Sequence, residues 1–305
     1  MIRLTILMLV CGMVFVGPFA FGQTDSVMWQ LQLQSRSIPE SGESAQPSLE
    51  RQSWSADQTA LIVCDMWDLH HCYRAVQREE QLLKPMQSLV THMRDAGATI
   101  IHSPSSCMDH YQDHPARKRA MSLVGHEAPP EIESWCYKID TESAVTYPLD
   151  QSDGGEDDTP EEHAAWANKL TEMGLDPKQP WSKQHDGLTI DPASDYVTDQ
   201  GKEVWSILKS RGIQNVAIVG VHTNMCVLGR PFGLRQLAKN GVNVVLVRDL
   251  TDAMYNPKSW PYVSHAEGTQ RIIQYIEQTV SPTITSDQIV GGSPFVIQPI
   301  AASGK

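Results

Sequence analysis

The chain has 305 residues, 41 % hydrophobic and 20 % charged, enough apolar material for one large core or two small ones. Its formal charge is −12 and its one basic cluster is ARKR at 116–119. A nucleic acid, which needs clustered Lys and Arg, is therefore not an expected partner.

The first 22 residues, MIRLTILMLVCGMVFVGPFAFG, place one Arg before an apolar run from Leu4 to Val16, then a Gly-Pro break and small residues at Ala20 and Gly22. This is the pattern of a cleavable secretory signal, so the protein is expected to be secreted or periplasmic. The run is short for a membrane span, and no later stretch reaches about 18 apolar residues, so no membrane association is expected after cleavage. Cys64, Cys72, Cys107, Cys136 and Cys226 then remain. An odd number in an oxidising compartment fits one free thiol and up to two disulfides.

Residues 23–57, rich in Gln, Ser, Glu and Pro, read as a flexible arm. The run QTALIVCD, 58–65, predicts a strand buried on both faces. A helix is expected over 77–97, where Leu82, Leu83, Met86, Leu89, Val90 and Met93 recur at helical spacing, with Pro85 as a kink or a true start. A strand at 98–103 follows. Residues 110–185 read as a long acidic excursion with a short helix near 161–173; between 139 and 176, eleven acids face a single Lys, and the loop DQSDGGEDD reads as solvated. Then come a helix at 200–211, a strand at 215–220, a helical stretch to Asn240-Gly241, a strand at 242–249 and a helix at 264–280, with 281–305 as a tail. Strand–helix alternation of this kind predicts an α/β fold: a three-layer αβα sandwich around a Rossmann-like parallel sheet.

Ligands of open parallel sheets sit beyond the carboxyl ends of the strands, where this chain places Asp65, His102 and Cys226. Cys226 opens a predicted helix with Thr223 or Asn224 as its cap, which would lower its pKa below the ~8.5 of a free thiol. Arg230, four residues on, would share its face and could bind an anionic substrate, and Pro231 breaks or restarts the helix. Trp135, Trp166 and Trp181 would line a lid or anchor the excursion, and His265 reads as a structural hydrogen-bonding residue.

The segments ALIVCDMWD, PWSKQ and VAIVGVHTNMCV, followed by GVNVVLVRDLTDA, resemble the isochorismatase-like cysteine hydrolases. That superfamily includes nicotinamidases, N-carbamoylsarcosine amidases, biuret hydrolases and ureidoacrylate amidohydrolases. The resemblance covers about residues 58–280 and is weakest over 110–180. It implies a hydrolase of C–N amide or ureido bonds in a small molecule, using a thioester on Cys226, a proton shuttle at Asp65 and a charge-balancing Lys183. It also implies a cis peptide at Val221–His222, which with the Cys226 N–H shapes an oxyanion hole. The first motif departs from the usual Asp-x-Gln-x-Asp-Phe and reads DMWDLHHC, so Trp67 and the two histidines alter the substrate wall. Lys178 is a second candidate for the lysine. Some relatives hold a divalent metal such as Zn after the second strand; the spacing in HSPSSCMDHYQDHP does not reproduce their Asp-x-His pattern, so no cofactor is expected, with Asp109 and His110 the fallback ligands. The alternatives are a non-catalytic binding protein on this scaffold and an isochorismatase-type ether hydrolase, against which the thiol argues. A homo-oligomer is a further expectation from the resemblance.

Overall fold

The computed structural model describes residues 26–38, 45–123 and 125–300; the predicted signal, 1–22, lies outside them. Two strands come first, β1 (Met28–Arg36) and β2 (Pro47–Ser55), paired antiparallel with Met28 opposite Ser55. The segment read as a flexible arm is thus part of the sheet. Its Trp29, Leu31 and Leu33 alternate with Gln and turn inward, the period-two pattern of a strand with one buried face.

Next come β3 (Thr59–Cys64), α1 (Tyr73–Asp95), β4 (Thr99–Ser103), α2 (Met108–Tyr111), α3 (Pro115–Ser122) and α4 (Pro160–Glu172). Helix α1 runs through Pro85 and starts four residues before the predicted 77. Then follow β5 (Tyr196–Val197), α5 (Gly201–Ser210), β6 (Asn215–Val221), α6 (Cys226–Gly229), α7 (Leu234–Lys239), β7 (Asn243–Asp252), α8 (His265–Thr279), β8 (Thr283–Ile284) and α9 (Asp287–Val290). The sheet order is β2-β1-β8-β7-β6-β3-β4-β5, parallel from β8 to β5, with the hairpin antiparallel beyond β8.

Adjacent strand residues face opposite layers. Ala60, Ile62 and Cys64 of β3 join Val216 and Ile218 of β6 in a core closed by α5, α7 and α8. Leu61 and Val63 join Ala217 and Val219 in a second core closed by α1, α9 and the hairpin. Every residue of β3 is buried, as its unbroken apolar run predicts. The three-layer αβα expectation holds, with a hairpin added at one edge.

The segment expected to be a tail is docked rather than free: the Gln298 N–H donates to Gln81 of α1 at 2.8 Å, and Phe295 packs on the second core. The acidic excursion is anchored too. Arg78 of α1 forms a two-pronged pair with Asp157 at 2.9 Å, Arg235 of α7 pairs with the buried Glu142, and Asp158 accepts from the Tyr73 and Arg74 N–H groups at the start of α1. Its carboxylates are structural ligands of helices, which corrects the reading of a solvated loop.

Candidate active site

Strands β3 and β6 are neighbours, with Cys64 opposite Gly220. Gly220 sits at φ 110°, and a Cβ there would lie 2.0 Å from the Cys64 carbonyl oxygen, so only glycine permits this approach. Beyond that contact both chains turn into the carboxyl-end cleft. Asp65 adopts φ 47°, the left-handed region that Asp tolerates better than most residues, and the chain folds back so that the Trp67 N–H reaches the Asp65 carbonyl at 3.0 Å. On the other side the Val221–His222 peptide is cis, as the resemblance implied. The Asn224 side chain then bridges to the Met254 N–H and carbonyl at 2.8 and 2.7 Å, and one helical turn presents Cys226.

Asp65 is fully buried and both its oxygens are used. The Ser105 N–H donates to Oδ1 at 2.7 Å and the Arg230 Nε donates to Oδ2 at 2.9 Å. The Cys226 side chain, 8 % exposed, lies within electrostatic reach of both Asp65 and Arg230. Burial pushes its thiol well above the ordinary range, the Asp65 charge pushes the same way, and Arg230 opposes them. The sequence expectation of a lowered pKa is therefore corrected: one turn of helix is too short to outweigh burial and an adjacent carboxylate. The cap expectation fails as well, because Met225 occupies the N-cap, Thr223 bonds Thr251 and Asn224 bonds Met254.

Lys183 is not brought to this group. Its backbone is pinned beside the first motif, with the Asp68 N–H donating to its carbonyl at 2.9 Å, but its Nζ donates to Asp186 at 2.6 and 2.7 Å. The cation paired with Asp65 is Arg230, which the sequence suggested as a binder of an anionic substrate or the partner of a surface acid; the acid it pairs with is the buried Asp65. Lys178 is exposed on the same excursion.

Trp135 stands against the nucleophile turn. The Arg230 guanidinium lies 5.4 Å from its ring centre, the Cys136 N–H donates to the Gly229 carbonyl at 2.8 Å, and a Cβ on Gly229 would meet the indole at 2.4 Å. Trp67, expected in the substrate wall, is buried, stacked on Trp181 at 4.5 Å, its indole N–H donating to the Ser105 carbonyl, and does not line the cavity along the nucleophile turn. Trp166 instead anchors the excursion through the His70 carbonyl. A cavity of about 450 Å³ lies along this turn, lined by Trp135, Tyr147, Asn224 and Met225 but not by Cys226. The larger cavity, about 680 Å³, lies under the C-terminal segment against Arg78, Asp252 and Phe295, away from the thiol.

His102 bonds Gln184 at 2.9 Å and Asp195 at 3.1 Å through its two ring nitrogens, so it is a structural residue. Asp109 and His110 are exposed on α2 and do not converge with a third ligand; the residues present do not fit a metal at this place. Among the described residues the one convergent group of donors is Cys72, Glu156 and Asp158, where Asp158 already caps α1. All five cysteines in the described residues are free, so the expected disulfides do not form. His265 bonds Asp252 and the Tyr255 carbonyl at 2.9 Å each, the structural role expected of it.

No curated protein matches the chain. Among solved structures it is similar to a cysteine hydrolase from Pseudomonas syringae pv. phaseolicola, at 16 % identity over 78 % of this chain and 92 % of that one, TM-score 0.46. An isochorismatase family protein from Burkholderia thailandensis is similar at 17 % identity over 77 % and 94 %, TM-score 0.44. N-carbamoylsarcosine amidase from Thermoplasma acidophilum is similar at 15 % identity over 75 % and 97 %, TM-score 0.39. The isochorismatase domain family model matches residues 159–288. The matched segment holds Cys226 and Arg230, while Asp65 lies ahead of it.

Proposed function

We propose that the protein is a cysteine hydrolase that cleaves a C–N amide or ureido bond of a small molecule. The observation that carries this reading is the convergence of buried Asp65 and Cys226 at the carboxyl edge of adjacent parallel strands, with Arg230 paired to Asp65 at 2.9 Å. Asp65 takes the thiol proton as the sulfur attacks the carbonyl carbon, and the carbonyl oxygen becomes an oxyanion. The Cys226 N–H, at the first position of α6 with no intrahelical partner, is the natural donor to that oxyanion. Collapse breaks the C–N bond, Asp65 returns the proton to the leaving nitrogen, and an acyl thioester remains. Water then attacks while Asp65 takes its proton, and that proton goes back to the departing thiolate. Because Cys226 is free, no disulfide blocks this chemistry. Export through the first 22 residues is part of the proposal and rests on their sequence alone.

The test is ammonia release from a panel of small amides and ureides, with mass spectrometry of the protein during turnover. Wild type should release ammonia and carry a transient acyl mass on the Cys226 peptide. Cys226→Ala should lose both, and Asp65→Asn should lose at least a hundred-fold in kcat/KM. Unchanged turnover by Cys226→Ala would sink the covalent route and favour binding without catalysis.

A further inference from the structure

We propose that Arg230, and no lysine, is the catalytic cation of this site, holding Asp65 and the Cys226 sulfur together as the negative charge passes between them. The inference rests on the hydrolase reading above. The chemistry needs a cation here: a carboxylate and an incipient thiolate meet in a buried cleft, and two anions without a counter-charge would repel each other strongly at low dielectric. Among the described residues Arg230 is the one cation that pairs with Asp65, at 2.9 Å, and its charge also acts on the Cys226 thiol four residues before it. Lys183, the sequence candidate, spends its ammonium on Asp186.

The sequence CVLGRP explains how the arginine gets there. The Arg230 N–H closes the single turn of α6 on the Cys226 carbonyl at 3.0 Å. Pro231 keeps the residue before it out of helical conformation, and Arg230 adopts φ −57°, ψ 157°. The helix stops, and the side chain runs back beside the nucleophile instead of continuing along a helix face. Trp135 under the guanidinium and Asp65 at its Nε fix the plane. The titratable groups that face it are Asp65 and Cys64 at the end of β3, Cys226 on α6 and Cys107 at the start of α2. Burial raises all three thiols, Cys107 to about 12, which leaves Asp65 as its anionic partner.

An arginine differs from a lysine in a measurable way. A guanidinium stays protonated past pH 12, whereas a buried ammonium gives up its proton far more readily. Activity should therefore show no alkaline fall from loss of this cation. Its planar fork also leaves Nη donors for the substrate after Nε is committed to Asp65, so a substrate carbonyl or carboxylate has a partner next to the sulfur.

The experiment compares Arg230→Met, Arg230→Lys and Lys183→Ala with wild type, by kcat/KM against pH and by the pH dependence of Cys226 alkylation with iodoacetamide. Arg230→Met should lose about a hundred- to a thousand-fold in kcat/KM and shift the alkylation profile to higher pH. Arg230→Lys should recover part of the rate and acquire an alkaline fall. Lys183→Ala should stay within about two-fold of wild type, because its ammonium does not reach the site. If Arg230→Met destabilises the fold, the Asp65→Asn/Arg230→Met pair removes both charges. A folded double variant whose alkylation profile matches that of Asp65→Asn alone would overturn the inference. So would an Arg230→Met enzyme with wild-type kinetics, or a Lys183→Ala enzyme that is inactive while folded. Those results leave the hydrolase reading intact if Cys226→Ala remains inactive, whereas an active Cys226→Ala removes that reading and this inference together.

Discussion

Asp65 and Cys226 meet because one glycine lets two backbones touch. Gly220 is that point, and its substitution tests how tightly the site depends on the strand contact. Gly220→Ala must place a methyl against the Cys64 carbonyl in a left-handed backbone. Left-handed conformation alone costs an L-residue about 1–2 kcal/mol and the clash adds to it, so the variant should lose at least ~2 kcal/mol in urea unfolding. Whatever folds should lose activity, since the displacement falls on the residue before Asp65. The positions of Cys226 and Asp65 were legible from sequence because each follows on an apolar strand run. The cation was not. The loop at 182–186 runs beside the first motif, yet an i,i+3 carboxylate, Asp186, turns the Lys183 ammonium outward. Arg230 stood at the right spacing from Cys226, but its commitment to Asp65 depends on where Pro231 ends the helix, which is a tertiary outcome.

At the level of elements, the both-face-buried strands were readable from their unbroken apolar runs and the amphipathic helices from their 3.6-residue period. The N-terminal hairpin carried a pattern as well, Trp-x-Leu-x-Leu, but Gln at every exposed position made the composition look disordered. Strands β5 and β8, two residues each, have no periodicity to detect. The excursion was readable as an insertion but not as a docked cap, because its anchors are ion pairs to distant helices. Within that cap, Trp135 packs against the Arg230–Gly229 turn. Trp135→Ala should remove the indole from the Arg230–Gly229 surface and leave a gap beside the sulfur. Iodoacetamide should then alkylate Cys226 at least ten-fold faster at fixed pH, with the unfolding midpoint nearly unchanged, because the indole is only half-buried. An alkylation rate equal to wild type would place the entrance elsewhere.

For the molecule as a whole, buried histidines govern its response to acid. Burial pushes His70 and His222 down, His222 to about 3 from 6.5, with further lowering at His70 from His222, His71 and Arg78. The unfolded chain takes up a proton at each below pH 6.5 while the folded chain does not, so stability is full above 6.5 and falls as pH drops. Each histidine contributes about 1.4 kcal/mol per pH unit over that window. Burial would raise Asp252, but Arg78 and His265 outweigh it and hold the carboxyl below 3.8, so its share is lost only on further acidification. Urea midpoints measured from pH 7.5 to 4.5 should decline, and His70→Asn should flatten the slope by one proton; a flat profile in wild type would contradict this. The neighbouring ion pairs of Arg78 with Asp157 and Asp252 tie the excursion to α1 and β7, so unfolding driven by these histidines should release the cap and the sheet together.

The sealed sulfur has a chemical consequence. Peroxide and similar oxidants consume thiolates, and a thiol kept protonated behind an indole offers them almost none. An idle molecule exposed to such oxidants should therefore keep the five free cysteines of the described residues reduced. If the protein turns over as the hydrolase proposal has it, each cycle exposes a thiolate, so sulfenate formation should follow turnover rather than time.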